Sequence, residues 1–249
     1  MDFGIFPGTL QRHRADRSAR ILLPQRRTHR RSLSPRGIGT MEATASSPHT
    51  LPLFQQAEDW FRRARASLLG QIPCGRGCCD CCTGIFPITR LDALEIQRGL
   101  DELPSALTHA IVTRARTQIT AVETAYPRLK STPGLDEWAD DTIDEIAERF
   151  AHLPCPALEA DGTCSIYSHR PITCRTMGIP GESDGIVHGA CAVQTAVPIV
   201  RLSATLRRDA DRLAEHEALS LSILRRAQPP GDDEILLPYG FVPNGDPTP

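Results

Sequence analysis

Aromatic side chains are scarce in this sequence: Phe, Trp and Tyr together make up 5% of it. With 40% apolar residues overall, the core must be built mainly from aliphatic side chains. No stretch approaches the roughly 18–20 uninterrupted apolar residues of a membrane-spanning helix, so no membrane partner is expected. Nor is there an apolar run of about 7–15 residues ending in a small-residue cleavage site, the form of a secretory leader. A cytoplasmic chain is the expectation. Motifs for several chemistries are also missing. There is no G-x-x-x-x-G-K-[ST] loop to cradle phosphates, and no G-x-G-x-x-G after a strand. There is no G-x-S-x-G nucleophile turn and no H-E-x-x-H zinc helix. The acids of "DEWADDTIDE" read as a solvated helix face rather than a carboxylate pair, and no internal repeat is visible.

The formal net charge of −2 conceals an asymmetry. Residues 1–40 carry nine Arg and two acids, and the remainder has a net charge of −9. An acidic body lacks the basic face that nucleic-acid binding requires. The basic head has three readings: an Arg-rich transit peptide, an arm touching an anionic partner, or a stretch outside the natural protein, with Met41 as the true start. Residues 1–50 are therefore set apart as an extension, residues 51–228 form the main domain, and residues 229–249 read as a flexible tail.

Within the main domain the pattern is helical. Phe54, Ala57, Phe61, Ala64 and Leu68 share one face of a helix over 54–69, with Gly70 as its stop. Thr89 is an N-cap candidate for a helix to about residue 100, with Asp92 in its first turn. Pro104 opens another helix, with Leu107, Ile111, Ala115, Ile119 and Val122 facing inward. Residues 139–151 place Ile143, Ile146, Ala147 and Phe150 on one side. Residues 198–227 read as one long helix, with Ile199, Leu202, Leu206, Ala210 and Leu213 buried. Between these last two helices the periodicity fails. Asp161-Gly162 has the form of a tight hairpin, Pro171 suits the start of a short helix, and "GESDG" is a turn. The expected fold is mainly α: a helical shell around an irregular cysteine-rich centre, with a small β-hairpin.

That centre holds the chain's most unusual feature, "CGRGCCDCC" at 74–82. Nine cysteines, an odd number, cannot form a complete set of intrachain disulfides. Cys78 with Cys81, and Cys79 with Cys82, form two overlapping C-x-x-C clamps, a spacing that turns both sulfurs toward one ion. Neighbouring residues point apart, so the two clamps do not easily serve the same ion. Cys74 adds a further thiol. Cys155, Cys164, Cys174 and Cys191 supply a second group, in or beside turns where ligands can be aimed. A shared metal would close the long loop between the groups and contribute folding free energy. A thioredoxin-like redox pair needs only two thiols and a βαβ unit, which is not seen. Cysteine as a small buried hydrophobe can account for Cys79 or Cys191, but not for the cluster.

The combined pattern resembles that of the YkgJ-type cysteine-cluster proteins, a zinc- or iron-chelating family. Their motif is C-x-x-C-x-x-C-C, then C-P-x-L, C-x-I-Y and R-P-x-x-C-R. Here Cys78, Cys81 and Cys82 match the last three cysteines of the first run. Gly75 stands where the first is expected, with Cys74 beside it, and Cys79 is additional. "CPAL" at 155–158, "CSIY" at 164–167, "RPITCR" at 170–175 and the later Cys191 complete the match, which spans about residues 71–195.

The resemblance implies a metal bound by Cys74, Cys78, Cys81, Cys82, Cys155, Cys164, Cys174 and Cys191. Four thiolates around Zn²⁺ or a 4Fe–4S core leave negative charge that needs cations or donors nearby. Arg170 and Arg175 flank Cys174 and can supply them, as can the first N–H groups after Pro171; the alternative is an ion pair of these arginines with Asp161 or Glu159. Tyr167 can pack over the site. His169 and His188 read as ordinary loop histidines. An all-sulfur set suits zinc or iron–sulfur, and more than four cysteines lean toward a 4Fe–4S cluster. The function expected is metal binding, with a structural, electron-carrying or partner-directed role. The alternative is an iron–sulfur enzyme, because the same cluster resembles that of flagellin lysine methylases, although no S-adenosylmethionine loop is recognisable.

Overall fold

The computed structural model describes residues 52–68, 77–179, 181–183, 186–188, 202–227 and 232–243. The chain is mainly helical, with two small antiparallel strand pairs. None of the helices among the described residues is long and apolar enough to cross a membrane. The basic head, Cys74, Gly70, Cys191 and Ile199 lie outside the described residues.

Helix α1 (Leu53–Ser67) buries Leu53, Ala57, Trp60 and Ala64. Trp60, rather than the expected Phe61, takes the buried position because it falls in line with Ala57 and Ala64. Its indole N–H, which burial would otherwise orphan, donates to the Leu206 carbonyl at 2.9 Å. That bond ties α1 to α7 (Ala204–Ala227). Helix α7 starts later than the apolar pattern suggested, at Ser203, whose side-chain oxygen accepts the Leu206 N–H. Leu202, Leu206 and Leu213 are buried.

Strand β1 (Pro87–Thr89) leads directly into α2 (Arg90–Asp101). Thr89 and Asp92 form the capping box there, with the Thr89 oxygen accepting the Asp92 N–H and the Asp92 carboxylate accepting the Thr89 N–H. Pro104 ends the segment and opens α3 (Ser105–Ala125), which buries Ile111, Ala115, Ile119 and Val122. After α4 (Arg128–Ser131), α5 (Asp140–Arg149) turns Ile146 inward, and Phe150 is buried just past its end.

Two features differ from the pattern read in the sequence. Around Asp161-Gly162 no strands form, only a single bridge between Leu158 and Cys164. The two runs still pair across the turn through the Glu159 N–H to Thr163 carbonyl and Ser165 N–H to Ala157 carbonyl bonds, and the Asp161 carboxylate closes the turn by accepting the Thr163 N–H and hydroxyl. A small antiparallel pair forms instead between β2 (Gly181–Ser183), the first three residues of "GESDG", and β3 (Ile186–His188). The second difference is the C-terminal segment. Within residues 229–249, where the sequence suggests a flexible tail, β4 (Glu234–Leu236) pairs antiparallel with β1, placing Ile235 opposite Ile88. The 3-10 turn Leu237–Phe241 then enters the core, where Leu236, Leu237 and Phe241 are almost fully buried. Burial of each such side chain contributes about 1.5–3 kcal/mol. This turn packs on both α2 and α3 and completes a core with Phe86, Ile88, Ile96 and Ile111. Cys155, Cys164 and Cys174 pack against the same core.

Candidate metal centre

The first cysteine group sits in the loop between α1 and β1. Gly77 has φ 88°, a left-handed conformation that suits glycine, just before Cys78. A turn follows in which the Cys82 N–H donates to the Cys79 carbonyl at 2.9 Å. The end of this loop is stitched to the second cysteine group. The Cys155 N–H donates to the Cys82 carbonyl at 2.8 Å, the Gly84 N–H to Leu153 at 2.7 Å, and Thr83 bridges Pro154. Two segments far apart in sequence thus run side by side where each carries a cysteine.

Helix α3 holds the second segment in place. Gln118 Nε2 donates to the Pro154 carbonyl at 2.7 Å and Arg114 Nε to the Pro156 carbonyl at 2.7 Å. Arg114 also pairs with Glu159 at 2.9 Å. These side chains satisfy backbone carbonyls of a stretch that lacks regular structure. They were not singled out in the sequence. The available signal was Gln118, a polar residue on the same buried stripe as Ile111, Ala115 and Val122.

Cys174 lies in α6 (Ile172–Thr176), after the Tyr167–His169 turn. Asp92 fixes this short helix, its carboxylate accepting the Ile172 N–H at 2.8 Å. Gly99 allows α2 to lie against the turn, since a Cβ there would come 2.6 Å from His169 Cβ.

All seven described cysteines are free thiols, each half-buried. Burial raises the pKa of Cys174 well above the usual thiol value, with further upward pushes from Cys155, Cys164 and Cys81. Cys155 is pushed up to about 12 by burial, with Cys164 adding to it. Cys164 is raised by burial. Cys81 is raised by its hydrogen bond to Cys82, then by burial. Cys78, at the edge beside Asp80, is raised by burial and also feels Cys81. Cys81, Cys155, Cys164 and Cys174 therefore gather as one electrostatic group, with Cys82 joined through Cys81. Cys79 stands apart, its sulfur 3.4 Å from where a Cβ on Gly162 would lie.

Arg170 is a cation near this group, its charge partly opposing the upward shifts of Cys81, Cys164 and Cys174, as that of Arg114 does at Cys155. The Arg170 guanidinium stacks over the Tyr167 ring, 3.7 Å from the centroid. So Tyr167 acts here as a platform for the arginine. Arg175 is spent differently, donating to the Arg170 and Ser168 carbonyls and so clamping the turn. Burial, then the nearby Arg170 charge, holds its pKa below the usual arginine range. Neither arginine is paired with Asp161 or Glu159; both meet Glu58 of α1, at 3.1 and 3.2 Å. His169 has each ring nitrogen 3.1 Å from a carboxylate, Glu95 and Glu102, which leaves it no lone pair aimed at the thiols.

Among the described residues, no three Cys, His, Asp or Glu side chains are already gathered in a metal-holding arrangement. The donor set nevertheless fits a soft metal centre: free, half-buried thiols from two stitched segments. Arg170, whose charge acts on Cys81, Cys164 and Cys174, also has a buried Nε without a hydrogen-bond partner among the described residues.

Free cysteines on two paired segments, set within a helical shell, make this a thiol-rich site. The family model described as "CxxCxxCC: Putative zinc- or iron-chelating domain" matches residues 73–192, just under half of the chain. No curated protein and no solved structure matches the chain significantly. Nothing in the comparisons supports the methyltransferase alternative.

Proposed function

We propose that the chain binds an iron–sulfur cluster or zinc through Cys78, Cys81, Cys82, Cys155, Cys164 and Cys174, with Cys74 and Cys191 as further ligand candidates. The observation that carries this reading is the Cys155 N–H to Cys82 carbonyl bond, which sets the two cysteine segments side by side. Once bound, the metal would cross-link those segments and, as a cluster, would also offer a site for one electron. The chain's own part is to hold the sulfurs at the core's edge, to limit water around them, and to offset their charge with Arg170. An all-sulfur donor set suits both metals, and the surplus of thiols over four favours 4Fe–4S. The role is a non-catalytic one in the cytoplasm: structural, electron-carrying or directed to a protein partner.

Anaerobic purification followed by elemental analysis and a visible spectrum tests this. Iron and sulfide with broad absorption near ~400 nm support the cluster, and a colourless protein with stoichiometric zinc supports the zinc form. Protein free of both metals after purification and after reconstitution with either would overturn the proposal.

A further inference from the structure

The matched family segment begins at residue 73, yet one group that bears on its centre comes from outside it. Glu58 lies on α1 and reaches the turn between Tyr167 and Cys174. One of its oxygens, Oε2, accepts from both Arg170 and Arg175. The two arginines it meets have unequal duties. Arg175 has donors committed to the Arg170 carbonyl, the Ser168 carbonyl and Glu58. Arg170 has a donor in reserve, because its Nε is buried and has no partner among the described residues. A buried N–H without an acceptor costs about 1–3 kcal/mol, and the Arg170 charge acts on Cys81, Cys164 and Cys174, so an acceptor from that group would relieve the cost. A metal-bound thiolate is such an acceptor, and hydrogen bonds to ligating sulfur are a common way to tune a metal site.

We propose that Glu58 is a positioning residue for the metal centre: it anchors Arg170 over Tyr167 so that the free Nε–H is offered to a metal-bound thiolate. The inference rests on the metal-binding reading above. It assigns the loaded site a contribution from the helix preceding the family segment. Because α1 also packs on α7 through Trp60, it joins the centre to that helix pair.

The test is a double-mutant cycle on the 249-residue chain loaded with Zn²⁺. Metal release into excess chromophoric zinc chelator is timed for the unaltered chain, Arg170→Gln, Glu58→Ala and the double variant. Thermal melts of the metal-free forms run alongside. Arg170→Gln is expected to hasten release by about tenfold or more, the range seen for partners of metal ligands. Glu58→Ala should hasten it several-fold, and Glu58→Gln, which keeps an acceptor, should restore most of the difference. The double variant should release metal no faster than Arg170→Gln alone, since Glu58 acts through that arginine. Fully additive effects, or unaltered release from Glu58→Ala with only its melting point lowered, would overturn the positioning role. If Glu58→Ala does not fold, Glu58→Met, which keeps the length but removes the acceptor, paired with Arg170→Gln runs the same cycle. Failure of the unaltered chain to hold Zn²⁺ or iron is a separate result, and it removes the metal reading itself.

Discussion

The Asp92 carboxylate accepts a hydrogen bond from the Ile172 N–H at 2.8 Å, across 80 residues of sequence. Its other oxygen takes the Thr89 N–H and hydroxyl. One fully buried carboxylate therefore caps two helices, α2 and the α6 that carries Cys174. Asp92→Ala should cost about 2–4 kcal/mol: about 1 for the lost cap and about 1–3 for a buried N–H left unpaired. Urea unfolding should show a lower midpoint with the slope retained. A midpoint equal to that of the unaltered chain would show that the shared cap contributes nothing.

The thiols divide into a group and an outlier, and that division is testable. Cys174→Ser removes a sulfur that feels Cys81, Cys155 and Cys164. Bound metal per chain should fall sharply in this variant. Cys79, packed on the Gly162 turn, should tolerate serine with metal content retained. Elemental analysis of the two variants, prepared identically, decides the point; equal metal loss in both would contradict the division.

Protons provide a third check. With Cys155 pushed up to about 12 and Cys174 raised well above its ordinary value, these two thiols are protonated at neutral pH when metal-free. Metal binding must therefore displace protons, and affinity should rise steeply with pH. Calorimetric titration with Zn²⁺ in two buffers of different ionisation enthalpy should show net proton release.

The same shift governs the metal-free fold. Cys155 has a folded pKa above its unfolded value of 9.0. Its contribution is complete below about pH 9 and is lost as pH rises toward about 12. Metal-free protein should accordingly become less stable to urea above pH 9, and a flat profile from pH 8 to 10.5 would argue against buried thiols.

The C-terminal turn makes a fifth prediction. Phe241 is 1% exposed and packs among Ile88, Ile96 and Ile111. Phe241→Ala should cost about 3–5 kcal/mol, far more than a change in a loose tail would. Chemical denaturation would register it, and a loss under 1 kcal/mol would return this segment to the role of a tail.

Much of the fold was legible where local chemistry decides. Thr89 and Asp92 announced α2 because a capping box is complete within four residues. Ile111, Ala115, Ile119 and Val122 marked α3 through their helical spacing. Ser203 was passed over as the start of α7, since the apolar pattern ran on beyond it. The run "EILLPYGF" looked like an unstructured end because a strand this short has no periodicity of its own; it needs β1 as a template and the α2–α3 groove as a floor. Of the candidate centre, the thiols could be read, but their supports could not. Gln118, Arg114 and Glu58 act across long separations, and polar side chains on helices look alike until something meets them.

The spacing of the cysteines, by itself, pointed to metal-ligand chemistry, because thiols crowded into turns are set by their covalent neighbours. Only the tertiary structure decided which cysteine-bearing segments meet. Their pairing depends on the Cys82–Cys155 backbone bond and on the Asp92 cap, and Glu58 reaches Arg170 from a separate helix. Such contacts come from packing between distant segments, whose closure no local pattern records.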